Sequence, residues 1–168
     1  LLAEAAELAQ QVGGLAVLHV GALDGTTTLE LAGGGAPPAG STAQIGVAGR
    51  DSLLVTLKTD PSPGTVGIIR LRDGAVSNAV PQAVSAPAGS LTPFGFSVYP
   101  DGTAFITLAH SNEDGLFRNG AFTSVVAAGA SAPCWSTRVG KYVFTANTAS
   151  RTISRAIKIG RASCRERV

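Results

Sequence analysis

The stretch Phe94–His110, FGFSVYPDGTAFITLAH, constrains the fold more than any other part of the chain. It reads as two strands of alternating or continuous apolar residues joined by Pro100-Asp101-Gly102. Proline fixes its own φ there and Gly102 is free to take φ > 0, which is the chemistry of a tight hairpin turn. The same phrase is written twice more, in Gln44–Lys58, QIGVAGRDSLLVTLK, and in Cys134–Asn147, CWSTRVGKYVFTAN. Each copy has a short apolar strand, a polar or glycine-bearing turn, and a strand ending in a threonine: Thr56, Thr107 and Thr145.

Those threonines are 51 and 38 residues apart, which brackets the period of a four-stranded propeller blade. The uneven spacing is absorbed by Val80–Thr92, an Ala/Pro/Ser-rich run that can loop out without disturbing a sheet. The expected fold is all-β, a partial β-propeller of roughly three to three and a half four-stranded blades over residues 13–158. Its first unit holds LAVLHVGAL and TTTLELA, joined by Asp24-Gly25, and GGGAPPAG (33–40) links it to the next. The second has strands at Ala43–Val47, Leu53–Lys58 and Gly64–Leu71, with a weak fourth near Ala75–Ala83. The third opens at Phe94, has a third strand around Leu116–Arg118, and turns at Asn119-Gly120 into Ala121–Ala127. The fourth begins at Cys134 and breaks off in its third strand, Thr152–Ile157. Leu1–Val12 stands apart: its apolar residues recur at helical spacing, and a short helix, a distorted strand and a doubtful reading frame all fit it.

Apolar residues make up 45% of the chain and charged residues 14%, with 21 Gly and 9 Pro, a balance that points away from a helical bundle. Aromatics at 5% are too sparse for a base-stacking platform, so no nucleic-acid partner is expected. No apolar run approaches the ~20 residues that a helix needs to cross a bilayer. The chain does not start with Met, which suggests a beginning within a longer protein or after a processed leader. Residues 159–168, IGRASCRERV, do not continue the strand pattern and resemble the translation of a short-read sequencing adapter. Without that tail Lys+Arg falls from 13 to 10 and Asp+Glu from 11 to 10, so the net charge drops from +2 to 0. The apparent basicity is then no argument for an anionic partner. Cys164 leaves with the tail, so Cys134 stands alone, best read as a small buried hydrophobe.

At LTPFGF (Leu91–Phe96), APCW (Ala132–Trp135) and GKYVFTANTASRTISR (Gly140–Arg155) the chain resembles the lactonase-like seven-bladed β-propellers, relatives of phosphogluconolactonase and carboxymuconate cyclase. The segment Ala43–Lys58 fits the same family. These are strand-and-turn signatures, so they speak to fold before chemistry. The resemblance implies a full ring, whose missing blades would be partners of this segment. It implies a function in hydrolysing or forming a small sugar-derived or acidic lactone. The alternative is a non-catalytic secreted or periplasmic propeller that binds a ligand or protein, such as a carbohydrate. No cofactor is implied.

In a blade, the loops after the second and fourth strands emerge on one face. Here they carry Lys58–Asp60, Thr92-Pro93, His110–Asp114, Pro133 and Asn147–Ser150, so the polar groups gather at one mouth. His110 beside Glu113 and Asp114 is the candidate general base, and Arg138 is the candidate holder of a carboxylate or phosphate. Asn112, Glu113 and Asn147 are candidate ligand contacts. Against these stand simpler readings: a solvated loop for His110–Asp114, a surface charge for Arg138, and turn caps for Asn147 and Ser150. His19 reads as structural or surface. Asp51, Asp60 and Asp73 read as turn formers. No metal site is expected, because two His with no HxH, HExxH or CxxC spacing do not make one. No GxSxG elbow is present, and GGGAPPAG lacks the following helix that a phosphate loop needs.

Overall fold

A computed structural model describes the backbone of residues 9–12, 15–22, 25–30, 41–58, 64–77, 82–159 and 162–167, and the side chains of 42–58, 64–77 and 82–158. Every regular element among them is a β-strand, and every pairing is antiparallel. Sheet I is the meander β1 (Ala9–Val12), β2 (Leu15–Ala22) and β3 (Gly25–Glu30). Sheet II runs β4 (Ser41–Val47), β5 (Ser52–Lys58), β6 (Thr65–Arg72). The outer edge of β6 is shared by two short strands, β7 (Ala75–Val76) and β8 (Gln82–Ser85). Sheet III runs β9 (Pro93–Val98), β10 (Ala104–Leu108), β11 (Glu113–Arg118), β12 (Ala121–Ala127), and sheet IV runs β13 (Pro133–Val139), β14 (Tyr142–Asn147), β15 (Thr152–Ile159), β16 (Ala162–Arg167). The all-β expectation holds, and so do most strand positions.

The turns form where their residues allow. Asp73-Gly74 and Asn119-Gly120 each have two successive positive φ values, 52° and 83°, then 51° and 81°, the backbone of a two-residue hairpin. At Pro100–Gly102 the Gly102 amide donates to Tyr99 O at 2.9 Å, and the Asp101 carboxylate accepts from the Thr103 amide at 3.1 Å.

Sheets II, III and IV stack face to face. All five residues of β10 are buried, because alternate side chains serve two neighbours. Ala104 and Ile106 join Phe96 and Phe117 against Leu54, Val66 and Ile68 of sheet II. Phe105 and Leu116 meet Val143 and Ala156 of sheet IV, with Tyr99. The far face of sheet II carries Leu53, Val55, Leu57 and Ile69.

The first strands β4, β9 and β13 are edges of their own sheets, and an open edge invites pairing with another chain. Side chains of adjacent sheets occupy the β9 edge. The Gln44 amide donates to Phe96 O and accepts from Phe96 N, both at 2.9 Å, as a strand residue would. Thr56 donates its hydroxyl to Phe94 O and accepts from Gln44 N at 3.1 Å. Thr107 repeats the device one sheet on: it accepts from Gly95 N at 3.0 Å and donates to Cys134 O at 2.7 Å.

Thr145 does not repeat it. Each first strand is bulged near its start, between Thr42 and Gln44, opposite Ile106–Leu108, and between Pro133 and Trp135. Counted from the bulge, Ala146, paired with Trp135, stands where Thr56 pairs with Gln44. Thr145 shares a strand face with Val143, towards sheet III. Its buried hydroxyl has no hydrogen-bond partner among the described residues. A shift of one residue moved it to the opposite face.

Two further expectations change. Glu113 and Asp114 belong to β11, paired with Leu108 and Thr107, and not to a loop. Residues 162–167 pair with Ser154–Ile159 as a fourth strand, although their sequence does not carry the strand pattern. In the N-terminal stretch, Ala9–Val12 is a strand paired with Leu15–Leu18. Residues 1–8 and the linker 33–40 lie outside the described residues.

Sheets III and IV are also clamped by charge. Lys158 donates to the Asp101 carboxylate and to Thr103 Oγ1 at 3.0 Å. That bond to Lys158 lowers the Asp101 pKa to about 2. A depressed carboxylate contributes stability that is complete above its unfolded value of 3.8 and is lost as the pH falls towards about 2. The side chain is 40% exposed, so solvent screening keeps the contribution small. On acidification through that window the melting temperature of the native chain is expected to fall more than that of Asp101→Asn. Parallel melting curves across the pH series would refute the clamp.

Candidate functional site

The expected site residues divide between the two ends of the sheets. His110 is exposed, in the turn between β10 and β11. Asn112, in the same turn at φ 57°, accepts from the Ala132 amide through Oδ1 at 2.8 Å and from the Ala128 amide through its carbonyl at 2.8 Å. Asn112 therefore fixes the entry into sheet IV. Arg138 sits at the far end of β13, where Nε donates to Val98 O at 3.0 Å and Nη1 to Gly140 O at 2.6 Å. Six residues of chain separate Arg138 from Ala132, about 20 Å at strand rise. The structure does not bring His110 and Arg138 together around one small substrate.

The other candidates are built into the sheets. Asn147 is 1% exposed, and its Nδ2 donates to Ser154 Oγ at 2.7 Å and to Thr152 at 3.2 Å. Glu113 is half-buried, its Oε2 without a hydrogen-bond partner among the described residues, and Asp114 is buried beside it. Cys134 is buried as expected, its Sγ 3.2 Å from Thr148 Oγ1. Thr148 and Ser150 hold Ala132 and Ser131 through side-chain and backbone bonds. Asp73 forms its turn. The side chains of His19 and Asp60 lie outside the described residues. No group of three or more His, Cys, Asp or Glu side chains converges as metal ligands among the described residues.

The same end of the sheets holds a constellation that the sequence did not announce. Lys58 closes β5, Phe94 lies near the start of β9, and Trp135 near the start of β13. The Lys58 ammonium stands 4.9 Å from the centre of the Phe94 ring. Phe94 meets Trp135 edge to face, with centroids 5.0 Å apart at 88°. Trp135 is 54% exposed despite its position on a first strand. Together they form a ledge of a half-exposed indole and a phenyl ring, with a cation at its edge. An indole can take the C–H face of a ring by dispersion, and a neighbouring ammonium favours anionic or hydroxyl groups on the same ligand. Lys58, Phe94 and Trp135 belong to three separate units, and only the lateral packing of β4, β9 and β13 brings them together.

No protein-family model, curated protein or solved structure matches this chain.

Proposed function

We propose that this chain is a run of propeller-type blades and works as a binding scaffold, with the Lys58–Phe94–Trp135 ledge as its ligand contact. Three successive meanders whose first strands lie side by side and whose faces stack support the blade reading. The observation that carries the binding reading is Trp135, half exposed yet held edge-on by Phe94. The ligand it fits is a carbohydrate or sugar-derived lactone, with the ring stacked on the indole. Turnover of such a lactone rests on the sequence resemblance at Leu91–Phe96, Ala132–Trp135 and Gly140–Arg155, because His110 and Arg138 stand at opposite ends.

Trp135 is the only tryptophan, so its fluorescence reports directly on the ledge. Titration with neutral and acidic oligosaccharides is expected to give a saturable shift in Trp135 emission. By calorimetry, Trp135→Ala should weaken binding by about tenfold or more. Lys58→Gln should weaken only the acidic ligands. Flat emission across the series, or full affinity in Trp135→Ala, would remove the ledge as the contact.

A further inference from the structure

At the end of the sheets opposite the ledge, a cleft of about 660 Å³ opens between sheets III and IV. Its walls include Thr103, Arg118, Asn119 and Thr123 from sheet III and Lys158 from sheet IV, over Leu116. We propose that this cleft is a second binding site, which takes an organic oxyanion, a carboxylate or a phosphate, bridged between Arg118 and Lys158. The two cations come from different sheets and share one carboxylate. Asp101 Oδ2 bonds the Lys158 ammonium and lies 3.7 Å from Arg118 Nη1. Among the described residues, two positive charges against one negative leave an excess of one at the cleft wall.

The two cations differ in how fully they are used. Lys158 is held by Asp101 and Thr103 and lies over the Tyr99 ring at 5.1 Å, with its side chain 16% exposed. Arg118 has a side chain 47% exposed, and its one ion pair among the described residues is at 3.7 Å, beyond hydrogen-bond length. Its planar fork of donors is therefore open to the cleft, and that geometry matches an oxyanion bidentately. Asn119, Thr103 and Thr123 supply polar groups around it. The volume greatly exceeds what one oxyanion fills, which leaves room for an organic body over Leu116.

Asp101 competes with the ligand for both cations, and that fixes the sign of the decisive experiment. Calorimetric titrations of the full chain at constant low ionic strength use inorganic phosphate and, separately, citrate. Saturable binding of at least one is expected, weakened about tenfold in Arg118→Gln. Asp101→Asn is expected to bind several-fold more tightly than the native chain. Asp73→Asn, with the same change of net charge at a distant turn, should bind as the native chain does. Binding of phosphate alone marks a phosphoryl ligand, and binding of citrate alone marks a carboxylate. The proposal is overturned if neither anion binds, if Arg118→Gln keeps full affinity, or if Asp73→Asn tightens binding as much as Asp101→Asn does.

Discussion

Gly95→Ala is expected to destabilise the fold by about 3 kcal/mol and to loosen sheet IV from sheet III. A Cβ on Gly95 would fall inside contact distance of Cys134 O and only 2.8 Å from Trp135 Cα. Both obstacles are backbone, so no side chain can swing away to make room. The penalty falls on a hydrogen-bonded joint between these sheets, because Cys134 O is the acceptor of the Thr107 hydroxyl. The structure supplies its own comparison in Gln44, the residue opposite Thr56 as Gly95 is opposite Thr107. There the next first strand lies far enough away for a whole carboxamide to fit between and bond Phe96. Urea unfolding at unchanged slope should give the loss directly. In a Cys164→Ser background the buried Cys134 thiol should also react faster with a thiol reagent. A cost under about 1 kcal/mol with unchanged thiol protection would show that the sheets do not approach as closely as Gly95 requires.

How far the sequence could be read depends on which signals are local. Hairpin turns are local, so Asp73-Gly74, Pro100–Gly102 and Asn119-Gly120 announced themselves, and the strands between them followed. Register is not local. Thr145 looked like the third copy of Thr56 and Thr107, but the bulge between Pro133 and Trp135 lies one pair further from the hairpin than its counterparts. No sequence signal marks that displacement, and a single step exchanges the two faces of a strand. Glu113 and Asp114 read as loop residues because carboxylates are poor strand formers. Pairing with Leu108 and Thr107 overrode that preference. Residues 162–167 were drawn into a strand by the free edge of β15, although their composition argues otherwise.

The candidate sites were less legible for the same reason. His110–Asp114 attracted attention as a cluster in sequence, yet Asn112 is spent on the backbone of Ala132 and Ala128. Lys58, Phe94 and Trp135 are 36 and 41 residues apart in the chain. The Arg118–Asp101–Lys158 cleft likewise joins one turn and the ends of two strands. Contacts between successive sheets build both sites, and a sequence read one unit at a time does not contain them.

Phe105→Ala should cost about 4 kcal/mol, whereas Phe144→Ala should cost about 1 kcal/mol or less. The two phenylalanines occupy equivalent positions: Phe105 pairs with Leu116 across β10 and β11, and Phe144 pairs with Arg155 across β14 and β15. Both point away from the preceding sheet, because Ala104 packs on sheet II and Val143 on sheet III. The difference lies in what covers them. Phe105 is fully buried in the joint with Tyr99, Leu116, Val143 and Ala156. Removing its ring opens a cavity between two sheets that close-packed neighbours can only partly fill. Phe144 is half-buried on the far face of sheet IV, where Ile153 is 59% exposed and Arg155 stacks on Tyr142. Its truncation removes surface that is already partly wet and leaves no enclosed void. Denaturant midpoints for the two variants, compared at one temperature, read the ratio directly. Equal losses would mean that the far face of sheet IV is as well covered as the joint between sheets III and IV, and the stacking order argued from the strand faces would then be wrong.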